Sequence, residues 1–367
     1  MKKIVCFALA VVLCLGFASC GKKAGPKIKD KTTTPTTTTT KKVIVCNPLT
    51  GISGYSAKKL DQKPVAVMIN NVNGGGNYNA QAIQTGVGDA DMVFETLVEG
   101  GITRLLAVYA DVEKVGQIGS VRSARISYAQ LAAGLDAYYI HCLADNKYCS
   151  TSYRNSLGLV DLDLGANASS LGKRIPNGMA TEHTLYTFGD KIAEFVGKKY
   201  SGKKIKDSAK NVYKFNSEKK AEKFEKSARN IAVRYSDTQT TYLRYNSDDK
   251  MYIRGNRNGN LLDYVSGKKE KFKNVIVLFT SVHSLPDKHH MKSELESGTG
   301  YYFSEESYKE IKWSKGGETK PLKFFDTNGK DLKLNAGNSY ICITDTKNKA
   351  KMNIEPASTT AKAAAAQ

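Results

Sequence analysis

The apolar and polar positions of this chain fall into two stretches with different rhythms. In the first, residues 45–197, β-branched and aromatic runs alternate with helix-like ones. DQKPVAVMINN (61–71), ADMVFETLV (90–98) and ITRLLAVYA (102–110) read as strands between turn formers. SARISYAQLAAGLDAYYIHC (123–142) predicts a helix running into a strand, and HTLYTFGDKIAEFVGKKY (183–200) a helix with Ile192, Phe195 and Val196 at helical spacing. In the second stretch, residues 216–347, IAVRYS, TTYLRYN, KMYIRG, NVIVLFTSV, GTGYYFSE, KEIKWSK, LKFFDTNG and SYICITD are short alternating segments separated by Gly, Asn, Asp and Ser. The expected fold class is therefore α+β / α/β: an N-terminal α/β domain with a mixed sheet, then a smaller, mostly antiparallel β domain. A Lys-rich segment at 198–215 reads as the linker, and 348–367 as a flexible tail.

The first 44 residues have neither rhythm. Lys2 and Lys3 precede an apolar run, Ile4 to Gly16, that is too short to span a bilayer comfortably. It ends in Phe17-Ala18-Ser19-Cys20, which resembles a bacterial lipobox, with Phe17 where Leu or Val is usual. Residues 1–20 thus read as a lipoprotein signal peptide, with Cys20 carrying the acyl chains that anchor the protein at the extracytoplasmic face of the membrane. The Lys/Thr/Pro-rich segment 21–44 reads as a disordered tether.

That compartment changes the meaning of the charge. The formal net charge is +20, which in a cytosolic protein would point to nucleic acid. Here the lysines are scattered rather than set among stacking aromatics, so the expected partners are anionic envelope polymers and cell-wall glycan. A solvated lysine-rich surface explains the same composition. Of the cysteines beyond Cys20, Cys142 and Cys149 are close enough in sequence to bridge, while buried free thiols fit the set as well. There is no CxxC pair, and His283, His289 and His290 have no ligand spacing, so no metal or other cofactor is expected. Asn73-Gly74-Gly75-Gly76-Asn77 lacks the Lys and Ser/Thr of a phosphate loop. Tyr242, Tyr245 and Tyr252 suit sheet packing, or a carbohydrate-stacking face.

The chemistry concentrates between residues 90 and 125. Glu95, Glu99, Arg104, Arg122 and Arg125 interrupt stretches otherwise rich in Val, Leu, Ile, Met and Gly. Charges in such surroundings must pair or act. On a helix Glu95 and Glu99 would stand about 6 Å apart, on a strand about 13 Å. Two-carboxylate glycosidases need about 5–9.5 Å, and MVFETLVEGG has strand composition. One glutamate can still serve alone as acid and then base, as in lytic transglycosylases. Glu95 is the first candidate and Glu99 the second. Arg104, Arg122 and Arg125 would clamp substrate carboxylates or orient Glu99, and His141 and His183 would donate to substrate. The competing reading is an internal Glu–Arg network that locks the fold.

The chain also resembles the YerB-like lipoproteins of Gram-positive bacteria, which pair two domains of unknown function behind a lipobox. The resemblance rests on Asn47-Pro48-Leu49-Thr50-Gly51, Pro64 through Asn71, Ala90 through Glu95, Leu97 through Arg104, and Val121-Arg122-Ser123-Ala124-Arg125. Pro321, Phe325-Asp326 with Gly329, and Leu334-Asn335 with Gly337 extend it into the second domain. Ser120 stands where a Pro is usual, and His183-Thr184-Leu185-Tyr186 where His-Asn-Leu-Tyr is. Two functions fit: an anchored enzyme cleaving peptidoglycan glycan, or a non-catalytic envelope lipoprotein holding a wall fragment or protein partner in an Arg-lined cleft.

Overall fold

The computed structural model describes residues 44–357, apart from the side chains of 166–169. The signal segment with Cys20, the tether before residue 44 and the end of the tail lie outside the described residues.

The strands expected within 61–71, 90–98 and 102–110 form as β1 (Val65–Asn70), β2 (Met92–Leu97) and β3 (Thr103–Tyr109). They read as nearly continuous apolar runs because both faces of the sheet are covered. β3 pairs antiparallel with both β1 and β2. After a short β4 (Gln117–Gly119), helix α1 (Ile126–Gly134) leads into β5 (Tyr138–His141), which lies parallel to β1 and to β6 (Val160–Asp163). α1 is apolar nearly all round because it is buried nearly all round, from Ser127 to Gly134. A side chain at Gly134 would meet the Lys320 carbonyl at 2.4 Å, so glycine allows the contact.

The second stretch joins this sheet. Ser339–Asp345 lies parallel to β2 on one side and to Asn274–Thr280 on the other. Ser297–Ser304 and Ser307–Ser314 continue outward by antiparallel pairing. The result is one mixed, eleven-stranded sheet built from both halves. Other strands of the second half form a six-stranded antiparallel sheet through Asn230–Arg234, Thr240–Asn246 and Met251–Asn256. This smaller sheet packs Ile231, Val233, Leu243 and Tyr252 against Val93, Val275, Tyr340 and Cys342 of the large one. The opposite face of the large sheet carries Phe94, Leu106, Ile276 and Ile341 against Tyr128, Ala129 and Ala132 of α1.

Three local features differ from the sequence pattern. Leu185–Phe188 is a strand, and the helix begins only at Gly189, whose missing side chain leaves room for the Val112 and Val115 carbonyls. The Lys-rich segment is packed structure: it buries Tyr213 and pairs Lys214–Phe215 with Lys333–Leu334. In the tail, Asn353–Glu355 pairs with Asn230–Arg234. Cys46, Cys142, Cys149 and Cys342 are free thiols, so 142 and 149 are not bridged.

Candidate functional site

β2 sends Met92, Phe94 and Thr96 towards α1, and therefore Val93 and Glu95 towards the small sheet. Glu95 is fully buried between the two sheets. Its Oε1 accepts from Asn71 Nδ2 at 2.9 Å and Thr103 Oγ1 at 2.7 Å. Its Oε2 accepts from Tyr235 OH at 2.9 Å and Tyr340 OH at 2.6 Å, while Thr241 Oγ1 lies 2.9 and 2.8 Å from the two oxygens. All five donors are neutral. Together they can hold a carboxylate in a dry site without a contacting cation.

The network continues beyond this first ring. Asn71 Oδ1 accepts from Gln84 Nε2 at 3.0 Å and from Arg254 Nη2. Arg254, also fully buried, donates to Glu270 Oε2 at 2.5 Å and to Gln84 Oε1 at 3.0 Å. Burial pushes the Glu270 carboxyl up, against the pull of Arg254. The sequence reading missed Tyr235, Thr241, Tyr340, Arg254 and Glu270. Period-two alternation from buried Tyr252 does place Arg254 inward, and that was the available signal.

Glu99 has a different setting. It sits in the turn Glu99–Gly101, where Gly100 and Gly101 both take positive φ. Arg125 embraces it, with Nε to Oε2 at 2.9 Å and Nη2 to Oε1, and Arg104 Nη2 reaches Oε1 at 3.2 Å. Burial would raise the Glu99 pKa, but the Arg125 hydrogen bonds and the two guanidinium charges outweigh it and hold it down at about 2. Glu95 and Glu99 share no hydrogen-bond partner among these contacts.

Arg122 stands beside this clamp without joining it. The ion pairs of the described residues do not include it, and its guanidinium donates to the Glu182 carbonyl at 3.3 Å. Its Nε is buried and has no partner among the described residues. His183, also buried, has Nδ1 2.6 Å from Asn70 Nδ2. Because Asn70 Oδ1 accepts from Val72 N–H, the amide nitrogen faces the ring, so Nδ1 accepts and Nε2 carries the proton. Nε2 too is buried without a partner among the described residues. Burial, and then the Arg122 charge, push the His183 pKa down, so the ring is neutral at pH 7. The ring of Tyr78, half exposed at the end of the triple-glycine loop, stands edge-on to His183 at 5.7 Å. The 99–104, 121–125 and 183–186 motifs thus converge, although about 80 residues of chain separate the first from the last.

Other expectations come out differently. His141 is fully buried, with Nε2 on Asp161 at 2.6 Å and Nδ1 on the Leu143 carbonyl at 2.9 Å. Asp161 also takes Arg154 at 2.9 Å. With both ring nitrogens engaged, His141 has no donor left for a substrate, which corrects the role expected of it. The acid/base role expected of Glu95 meets a similar objection, since no solvent touches it and a glycan could reach it only if the two sheets parted. Tyr252 is core, and Tyr242 lies under the Arg244 guanidinium at 5.1 Å. His290 leans on Asp287 at 2.7 Å, and no group of three or more metal-ligating side chains occurs among the described residues.

Comparison with known proteins places these features in a family. Residues 49–203 match the N-terminal domain, and 231–341 the C-terminal domain, of a family described as protein of unknown function (DUF3048). A Bacillus subtilis (strain 168) protein named "Putative lipoprotein YerB" is 27% identical over 304 residues, covering 81% of this chain and 85% of that protein. The crystal structure of the YerB protein from Bacillus subtilis superposes with a TM-score of 0.70 at 23% identity, over 85% of this chain and 99% of that one. That likeness speaks to the fold.

Proposed function

This chain belongs to the DUF3048 family, and from that premise we propose that it is a lipid-anchored envelope lipoprotein, held through Cys20 at the extracytoplasmic face, that binds an anionic cell-wall fragment without cleaving it. The observation that carries this reading is Arg122, a cation with no ion-paired carboxylate among the described residues, beside a neutral His183 whose Nε2–H has no acceptor among them. A carboxylate fits both. The guanidinium would take it in a two-bond fork, and the imidazole would add a third donor. The neighbouring clamp raises the preference for an anion, because two arginines share the single carboxylate of Glu99. Peptide-stem and lactyl carboxylates of the wall have this chemistry, and the exposed face of Tyr78 suits the apolar face of an attached sugar ring.

Cleavage has less support. It needs an acid at the scissile bond. Glu95 is sealed, and Glu99 is locked as an anion between two guanidiniums.

The test incubates purified mature protein, and an Arg122→Ala variant, with insoluble purified cell wall. The wild type should sediment with the wall, and R122A should bind roughly ten-fold more weakly, the worth of one charge-assisted pair. Soluble anhydro-muropeptides should appear in neither sample. Products formed by the wild type and lost in Glu95→Gln would restore the enzyme reading, and equal wall binding by R122A would remove the site. If R122A loses a captured envelope protein instead, the partner is protein.

A further inference from the structure

One turn of the small sheet reverses the usual placement of apolar and charged side chains. It lies between Gly259–Asn260 and Lys271–Phe272. In Leu261-Leu262-Asp263-Tyr264-Val265 the charged residue is buried, while Leu262, Tyr264 and Val265 are 47, 51 and 62% exposed. Exposed apolar residues scattered singly, such as Ile52 and Leu143 here, need no explanation, but three within four positions do. The turn is pinned in this orientation. Asp263 Oδ2 accepts from the Gly86 N–H at 2.6 Å, and Oδ1 from the Val265 and Ser266 N–H groups at 3.1 and 2.8 Å and from Ser266 Oγ at 2.9 Å. The Tyr264 N–H donates to the Gln84 carbonyl at 2.8 Å. Rolling the apolar side chains inward would break these bonds. They are held out, and a partner meets them with little ordering cost.

The charges beside them select the partner. Leu262 lies directly opposite Lys269 in an antiparallel bridge, so the two side chains share a face. Lys268 precedes Lys269 in the chain, and both are exposed. Lys271 pairs with Asp249 at 2.7 Å, but neither Lys268 nor Lys269 belongs to an ion pair among the described residues. The exposed Asp89 carboxylate feels Lys268 without pairing to it. Protein–protein interfaces are depleted in lysine. A bilayer interface favours this mixture. Tyrosine sits at the headgroup level, aliphatic groups enter the boundary below it, and ammonium groups meet anionic headgroups.

We propose that the 262–269 turn is a membrane-docking loop that seats the folded part of the chain on an anionic bilayer. This rests on the lipid-anchored reading above, because an anchor at Cys20 keeps the turn at high local concentration near the bilayer and lets a weak contact count. The anchor supplies attachment, and the turn supplies orientation. Acylation of Cys20 is read separately, by mass spectrometry of the native protein, so the anchor and the turn fail separately.

The test uses the mature chain with Cys20→Ser, so that acyl chains do not mask the contact, and sedimentable vesicles of phosphatidylglycerol or phosphatidylcholine. The chain should bind phosphatidylglycerol, and phosphatidylcholine roughly ten-fold more weakly. The lysines before residue 44 attract anionic lipid in every variant, so the turn is read by differences. Leu262→Ser with Val265→Ser, which changes no charge, should weaken binding to phosphatidylglycerol roughly ten-fold. Lys268→Gln with Lys269→Gln should do so by a similar factor. Tyr264→Trp adds a reporter to a chain whose own Trp313 is buried. On phosphatidylglycerol its emission should shift to the blue and be quenched by lipids brominated on their acyl chains. L262S/V265S should keep the parent's Tm, since both side chains are exposed, and should sediment with purified cell wall as the parent does. No vesicle binding, equal binding by L262S/V265S, or an unquenched Y264W on bound vesicles overturns the proposal. Loss of wall binding in L262S/V265S would give the turn to the wall and overturn it too.

Discussion

Glu95 and Glu99 leave the same short stretch of chain and end in opposite surroundings. Glu95 is held between two sheets by five neutral donors, all within 3 Å. Glu99 is held at the rim by two guanidiniums. The Glu95 side chain, surrounded by hydroxyls and an amide, ties together the packing of both halves. A carboxylate shared by two arginines leaves net positive charge at an accessible edge, where Arg122 adds more. The same residue type thus serves architecture at one position and prepares recognition at the other.

The largest test of this contrast removes the sealed carboxylate. Glu95→Ala leaves five buried donors without an acceptor and should cost about 3–5 kcal/mol. Thermal unfolding should show Tm lower by roughly 10 °C. A Tm within a degree or two of wild type would mean that Glu95 is not the joint between the sheets.

A smaller loss is expected one step along the same network. Arg254→Met strands Glu270 in the interior and should cost about 3 kcal/mol. The double variant R254M/E270L, which removes both charges, should recover most of it in denaturant unfolding. Failure to recover would place the cost in packing rather than charge.

At the rim the signature is pH dependence. The folded-state pKa of Glu99 lies below its ordinary value of 4.5, at about 2. Its stabilising contribution is therefore fully present above about pH 4.5 and is lost as pH falls towards 2. After allowance for solvent screening at this partly exposed site it should amount to about 1–2 kcal/mol. Glu99→Gln should flatten the stability curve across that acid window and leave the pH-dependence near neutrality unchanged.

The smallest stability effect is expected at Arg122. With no ion pair to lose among the described residues, Arg122→Ala should change stability by less than about 1 kcal/mol, while wall binding falls roughly ten-fold. A large loss of stability would instead make Arg122 part of the scaffold and collapse the contrast between the two regions.

Much of the fold was legible along the chain, and for a physical reason. β1, β2, β3 and α1 bury most of their surfaces, so their apolar periodicity is strong and their bounds emerge near the expected residues. The turn at Gly100-Gly101 was legible because positive φ favours glycine. Leu185–Phe188 was hidden, because four residues before a helix carry too little pattern to separate strand from helix. Glu95 and Glu99 stand out along the chain, yet the character of each site came from partners far along it. Tyr340 lies 245 residues from Glu95, and His183 meets Asn70 across 113. His141 looked available because Asp161, which occupies one of its nitrogens, belongs to the neighbouring strand β6.

The sequence by itself determined the two rhythms, the α+β class and the block of charges at 90–125, because each is local composition or local period. Only the tertiary structure decided that both halves share one sheet, and that Glu95 is closed to solvent while Arg122 has no ion pair among the described residues. Strand pairing and burial depend on residues brought together from distant parts of the chain. A charge is a scaffold element or a ligand contact according to those neighbours, and their approach is a property of the folded chain alone.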